Sequence, residues 1–181
     1  KPMVVRVAER ALMSGASRVV IAVDDQSIFD ACKANGLDVM LTSKDHPTGT
    51  DRLSEVVSKL NLQDDEIIVN VQGDEPLIPS DLITDVAQTL SEHPQASIAT
   101  TALAIHDLAE VNNPNVVKVV MNQSHQALYF SRSAIPFSRN PEQYQAQCYR
   151  HIGMYAYRAS FLKKFSQLDH FHFLKPFYTF L

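Results

Sequence analysis

"NVQGDEPLIP" (Asn70 to Pro79) follows directly on a strand-forming run, Ile67-Ile68-Val69-Asn70-Val71, and breaks it with Gln72, Gly73, Asp74, Glu75 and Pro76. The run reads as a fully buried strand, because near-continuous β-branched residues suit a parallel sheet covered on both faces. In an open α/β sheet, ligands bind beyond the carboxyl ends of the strands. That makes the carboxylates after Val71 candidates for a metal or phosphate clamp. Oxygen ligands of this kind suit Mg²⁺, which takes one or two carboxylates and completes its shell with substrate phosphates and water. A plainer reading stands beside it: Asp and Glu also follow strands because loops are polar and helices need caps.

Working outward from this stretch, apolar runs alternate with amphipathic segments. The chain opens on a helical pattern, with Val4, Val7, Ala8 and Ala11 on one face and Pro2 in the first turn. A helix at the first residue carries the expectation of a missing upstream segment. "RVVIAVD" (Arg18 to Asp24) and "LDVMLTS" (Leu37 to Ser43) read as strands, separated by a short helix through Ile28, Ala31 and Cys32. Thr50 is the expected cap of a helix facing inward through Leu53, Val56, Val57 and Leu60. Ser80 is the expected cap of another, facing inward through Leu82, Ile83, Val86 and Leu90. Further strands are expected at Ala96 to Ile105, Asn115 to Met121, Ala127 to Ser131 and His151 to Arg158. The two around Asn122-Gln123-Ser124-His125 are spaced as a hairpin. Asn140 to Cys148, polar and proline-containing, is the candidate mobile loop. Strands alternating with helices predict an α/β fold with a mostly parallel sheet, right-handed crossovers and helices on both faces.

With 181 residues, 45% hydrophobic and 20% charged, the chain suits one globular domain, residues 1–181. A formal net charge of −4 without a basic stripe argues against nucleic-acid binding. No apolar stretch approaches the roughly 20 residues that span a bilayer, and no signal-peptide pattern opens the chain, so a cytoplasmic location is expected. Cys32 and Cys148 lie outside any C-x-x-C pattern and read as reduced thiols, Cys32 as a small core residue.

Other residues carry paired readings. Asp24-Asp25 reads first as a helix cap and second as a ligand pair. In "HPTGTDR" (His46 to Arg52), Thr-Gly-Thr makes a turn and cap, or lets backbone and hydroxyls approach a base or ribose. His170-x-His172 shares a strand face without a visible third metal ligand. His151, Gly153, Tyr155 and Tyr157 share one side of a strand by their period of two. Arg132 is a surface charge or a planar fork for a carboxylate.

Taken in order, "HPTGTDRLSEV", "IIVNVQGDEPLIP", "NPNVVKVV", "ALYFSRSAIPF" and "RHIGMYAYR" closely resemble the 3-deoxy-manno-octulosonate cytidylyltransferases (CMP-Kdo synthetases). The resemblance runs from Lys1 to about Leu168, and the pairing of "NVQGDEP" with "YFSR…IP" is its most specific part. It implies a Rossmann-like α/β fold of the nucleotide-diphospho-sugar transferase type, a Mg²⁺ cofactor and a homodimer. It also implies transfer of CMP from CTP to the sugar acid Kdo, with release of pyrophosphate, for lipopolysaccharide assembly. Residue by residue, Asp74 matches the family's Mg²⁺-binding and catalytic aspartate. Thr48, Gly49 and Thr50 match the loop beside the cytidine. Gln72, Arg132, His151 and Tyr155 match positions lining the sugar-acid site.

The family pattern also includes an earlier phosphate-binding strand and loop, and a later "GVDT"-type segment with a second aspartate. Both would lie outside this sequence, which therefore reads as a domain incomplete at both ends. The tail "HFHFLKPFYTFL" (His170 to Leu181) departs from the family's glutamate-rich helix. Three alternatives stay open at this point: a sialic acid cytidylyltransferase, a non-catalytic nucleotide-binding fragment, and a phospho-acceptor switch domain built on Asp24-Asp25.

Overall fold

A computed structural model describes residues 1–140 and 148–165 of the chain. They fall into two compact units, Thr100–Gly153 and the flanking Lys1–Ala99 with the described residues from Met154 onward. In chain order the elements are α1 (Met3–Leu12), β1 (Ile21–Val23), α2 (Gln26–Ala34), β2 (Val39–Leu41), α3 (Gly49–Leu60), β3 (Ile67–Asn70) and α4 (Ser80–Glu92). Then follow β4 (Ile98–Ala104), α5 (Leu108–Asn112), β5 (Lys118–Met121), β6 (Ala127–Ser131), β7 (Tyr149–Arg158) and α6 (Ala159–Phe165). Each strand and long helix expected among these residues is present, most of them trimmed at the ends. The expected mobile loop falls largely, and the His170-x-His172 pair and aromatic tail wholly, outside the described residues.

In the first unit, β3 pairs antiparallel with the second half of β7, from Ile67 opposite Arg158 to Asn70 opposite Tyr155. Alternation along β7 sends its side chains into two separate clusters. Met154 and Ala156 pack with Ala11 of α1, Ile78, and Ile83, Val86 and Leu90 of α4. Tyr155 and Tyr157 pack with Val57 of α3 and Ala159 and Leu162 of α6. Helices therefore cover both faces of this strand pair, as the apolar pattern predicts. A smaller parallel pair, β1 and β2, aligns Ile21 with Val39 and buries Val23, Val39 and Cys32.

Four expectations need correction. The sheet is not mostly parallel among the described residues: β1–β2 is parallel, whereas the β3–β7, β5–β6 and β5–β7 pairings are antiparallel. β-branched composition reports burial on both faces, and a doubly covered antiparallel strand looks the same in sequence. β3 is only partly buried, residue by residue, consistent with pairing to β7 alone among the described residues. Thr48, not Thr50, caps α3, its hydroxyl accepting from the Asp51 N–H while Thr50 is buried inside the helix. Ser80 is the first residue of α4 rather than its cap; Pro79 holds that place and offers no side-chain acceptor.

In the second unit, β5 lies between β6 and the first half of β7, antiparallel to both. The expected hairpin closes without glycine. The Asn122 carboxamide oxygen accepts from the Ser124 and Gln126 N–H groups, and His125 takes the left-handed conformation at φ +58°. Ile105, Val111 and Cys148 form this unit's apolar cluster.

Leu90 is 0% exposed in the larger cluster and Leu77 is 88% exposed. Leu90→Ala should cost about 3 kcal/mol of stability, a deleted core side chain with incomplete collapse around it. Leu77→Ala should stay within about 0.5 kcal/mol, and urea denaturation of both variants checks the contrast.

Candidate functional site

The stretch beyond β3 is fixed at both ends. Its strand side is registered on β7 through Asn70 opposite Tyr155. On the far side Ile78 is buried in the larger cluster, and its carbonyl accepts from Arg10 Nε at 2.9 Å. Between these anchors run two turns: the Glu75 N–H donates to Gln72 O, and the Ile78 N–H donates to Glu75 O. Gln72 is half-buried, while Gly73, Asp74 and Glu75 stand exposed. The carboxylates are thus carried on a short, tethered loop rather than on a long free one.

A second segment meets the strand pair through the start of α3. The Thr48 hydroxyl accepts the Asp51 N–H and donates to the Asp51 carboxylate at 2.5 Å, which commits both groups to the cap. Gly49 opens the helix, and a Cβ added there or at Gly73 would meet nothing within 4 Å. Packing within the chain does not demand glycine at either position. Burial raises the Tyr157 phenol, and Thr50 at the start of α3 opposes that rise. Tyr157 stacks on Tyr155 at 5.8 Å and on Phe161 at 6.1 Å. Thr50 and Tyr155 are thereby brought into one cluster, with Tyr157 between them. Tyr155 is 8% exposed, and burial, helped by the neighbouring Tyr157, raises its phenol well above the ordinary range. It stays protonated as a hydrogen-bonding group.

Arg132 and His151 belong to the second unit. Arg132 follows β6 and its Nη1 donates to Pro114 O at 2.9 Å. His151 lies on β7 with Nε2 2.9 Å from the Thr100 hydroxyl and its ring edge-on to Phe130 at 5.0 Å. Burial pulls the imidazole down to about 4, so at neutral pH it is uncharged and acts by hydrogen bonding. Within β7, the face expected to be shared by His151, Gly153, Tyr155 and Tyr157 divides: the tyrosines enter an apolar cluster, and His151 makes polar and aromatic contacts of its own.

The structure also separates Asp24 from Asp25. Asp25 caps α2 by accepting from the Ser27 and Ile28 N–H groups, as the cap reading has it. Asp24 instead pairs with Arg52, which also reaches the Thr42 hydroxyl. Nearby, burial favours the neutral form of Glu55, but hydrogen bonds from Lys59, His46 and the Ser43 N–H outweigh it and hold the carboxyl at about 2. Sequence reading missed this network because nothing links Asp24, Thr42 and Arg52 until the chain folds. It also missed Lys118, fully buried in β5, although a lone charge within "NVVKVV" is a legible signal.

For a divalent cation, the fit rests on Asp74. Its carboxylate is a hard oxygen donor, exposed on the tethered loop beside Glu75. No group of three or more His, Cys, Asp or Glu among the described residues could form a cage of protein ligands. A single carboxylate with the remaining shell from phosphate and water is the usual Mg²⁺ arrangement, so the residues fit that ion. Asp74, with Glu75 as neighbour, is the position that would hold it.

A family model described as "Cytidylyltransferase" matches residues 1–174. A protein named 3-deoxy-manno-octulosonate cytidylyltransferase, from Polynucleobacter necessarius subsp. necessarius, is 55% identical over 170 residues, covering 93% of this chain and 67% of that relative. A protein of the same name from Polynucleobacter asymbioticus is 54% identical over the same shares. Among solved structures, a CMP:2-keto-3-deoxy-manno-octonic acid synthetase complexed with CTP superposes with a TM-score of 0.89 at 41% identity. That likeness covers 97% of this chain and 71% of the other.

His151 supplies a pH test. Its pKa lies near 4 in the folded chain against an ordinary 6.5. Between those values the unfolded chain binds a proton that the folded chain refuses. The stability contributed by the neutral ring is complete above pH 6.5 and is lost as pH falls through 4. Urea denaturation from pH 7 to 4 should show this acid slope, and His151→Gln should flatten it.

Proposed function

This chain belongs to the cytidylyltransferase family, and on that footing we propose that it transfers CMP from CTP to the sugar acid Kdo, forming CMP-Kdo and pyrophosphate. The observation that carries the reading is the pair of relatives bearing the name of that enzyme, each more than half identical over almost the whole chain. CMP-Kdo then serves lipopolysaccharide assembly. The enzyme works in the cytoplasm as a homodimer, and residues 1–181 belong to a single cytidylyltransferase domain. No helix among the described residues is long and apolar enough to cross a membrane.

The reaction joins the anomeric oxygen of Kdo to the α-phosphorus of CTP as the bond to the departing pyrophosphate breaks. Bringing two anions together in line is the main difficulty, and positioning with charge neutralisation is the remedy. Asp74 would hold Mg²⁺, which would supply that neutralisation when bound. The loop from Gln72 to Ile78 holds the carboxylate in place. Thr48, Gly49 and Thr50 line the cytidine. The open space at Gly49 and Gly73 supports close approach of a ligand to the backbone. Arg132 offers a planar, permanently charged fork to the Kdo carboxylate. In the same unit, a neutral His151 gives hydrogen bonds to the Kdo hydroxyls.

The test is pyrophosphate release from CTP and Mg²⁺ with Kdo, with a sialic acid, or with no acceptor. Release should depend on Kdo. Asp74→Asn should lower turnover by about 10²- to 10³-fold, the range for loss of a charge-stabilising group, while leaving thermal unfolding unchanged. Near-normal activity in that variant would remove the metal-ligand role, and release driven only by a sialic acid would reassign the acceptor.

A further inference from the structure

The second unit contains an ammonium that the reaction scheme above leaves unused. Lys118, in β5, is 0% exposed. Its Nζ donates to Asn113 O at 2.9 Å, to Val116 O at 2.8 Å and to Arg132 O at 2.5 Å. A lysine ammonium has three donors, and all three are spent on backbone carbonyls. Burying a cation is costly unless its hydrogen bonds are made. Its environment therefore fixes where those three carbonyls stand.

The three acceptors are not scattered. Asn113 and Val116 delimit one short turn, in which the Val116 N–H also donates to Asn113 O. Arg132 is the residue directly after β6. Its guanidinium reaches Pro114 O, inside the same turn. Arg132 is thus tied to the 113–116 turn twice: through its main chain by way of Lys118, and through its side chain at Pro114. A strand run as apolar as "NVVKVV" would pack at lower cost with valine or isoleucine at this place. The lysine is explained by what it holds.

We infer that Lys118 is a positioning residue for sugar-acid binding, setting the Arg132 fork by clamping the Arg132 carbonyl to the 113–116 turn. This rests on the proposed role of Arg132 toward the Kdo carboxylate. It adds a specificity-determining group that itself touches no substrate. The dependence is directional. Weakening the clamp displaces the carboxylate fork and spares Thr48, Gly49 and Thr50, none of which bonds the Lys118 ammonium.

The test is steady-state kinetics on the full chain for wild type, Lys118→Gln, Arg132→Ala and the double variant, with thermal unfolding followed alongside. Lys118→Gln keeps a donor and is the variant expected to fold; Lys118→Met removes all three donors and is the severer form. Lys118→Gln should raise the KM for Kdo about tenfold and leave the KM for CTP within about twofold. In the Arg132→Ala background the same change should add less than about twofold, because residues acting through one group are not additive. Equal shifts in both KM values, or full additivity with Arg132→Ala, would overturn the positioning role and leave the enzyme assignment standing. Wild type that turns over CTP with Kdo but shows no change in Kdo KM on Arg132→Ala overturns both residue roles. Wild type without Kdo-dependent turnover overturns the proposed function, and the inference with it.

Discussion

The register of β3 on β7 is the constraint on which the first unit depends. Asn70 opposite Tyr155 fixes where β3 stops, and so where the chain leaves the sheet with Gln72, Gly73, Asp74 and Glu75. A slip of one residue would exchange the two faces of β7. Met154 and Ala156 would turn toward α3 and α6, and Tyr155 and Tyr157 toward α4. Both clusters would lose their fit at once. The register is therefore held from two sides by core packing, and the loop inherits that rigidity. Ile78, buried among the α4 residues and tied by Arg10, completes the frame.

The same strand explains why polar chemistry survives close to a core. The tyrosine face of β7 packs against Val57 of α3, and Thr50 at the start of that helix opposes the burial that raises the Tyr157 phenol. The start of α3 is thereby attached to the strand that also registers β3. In the second unit Lys118 plays a comparable part, its ammonium gathering the carbonyls of Asn113, Val116 and Arg132 around one buried donor group.

Much of this was legible in the sequence, for reasons that can be named. Helices α1, α3 and α4 present their inward residues at helical spacing, and Val7, Ala8, Ala11, Val57, Ile83, Val86 and Leu90 are buried as read. Asp25 was legible as a cap because a cap needs only local geometry. Strand direction was not legible, since β-branched runs encode burial and leave the partner unspecified. The cap of α3 was misplaced by two residues, because Thr48 and Thr50 offer the same hydroxyl and only the backbone conformation distinguishes them. Tyr155 shares its apolar cluster with Val57 of α3 and Leu162 of α6, neighbours distant in sequence that no local pattern announces. The Asp24–Arg52–Thr42 network is likewise a product of tertiary contact. The roles proposed for Asp74, Gly49, Arg132 and His151 rest on family likeness, since strand ends and turns carry such residues for plain structural reasons as well.

The central claim is that β3 ends where it does in order to hold the Asp74 carboxylate against a metal-bound nucleotide. Its most direct test is the anomalous scattering of Mn²⁺, substituted for Mg²⁺, in crystals grown with CTP. The account predicts a peak about 2.1 Å from an Asp74 carboxylate oxygen, with the phosphates of CTP completing the shell. A peak on other residues, with Asp74 turned to solvent, would contradict it.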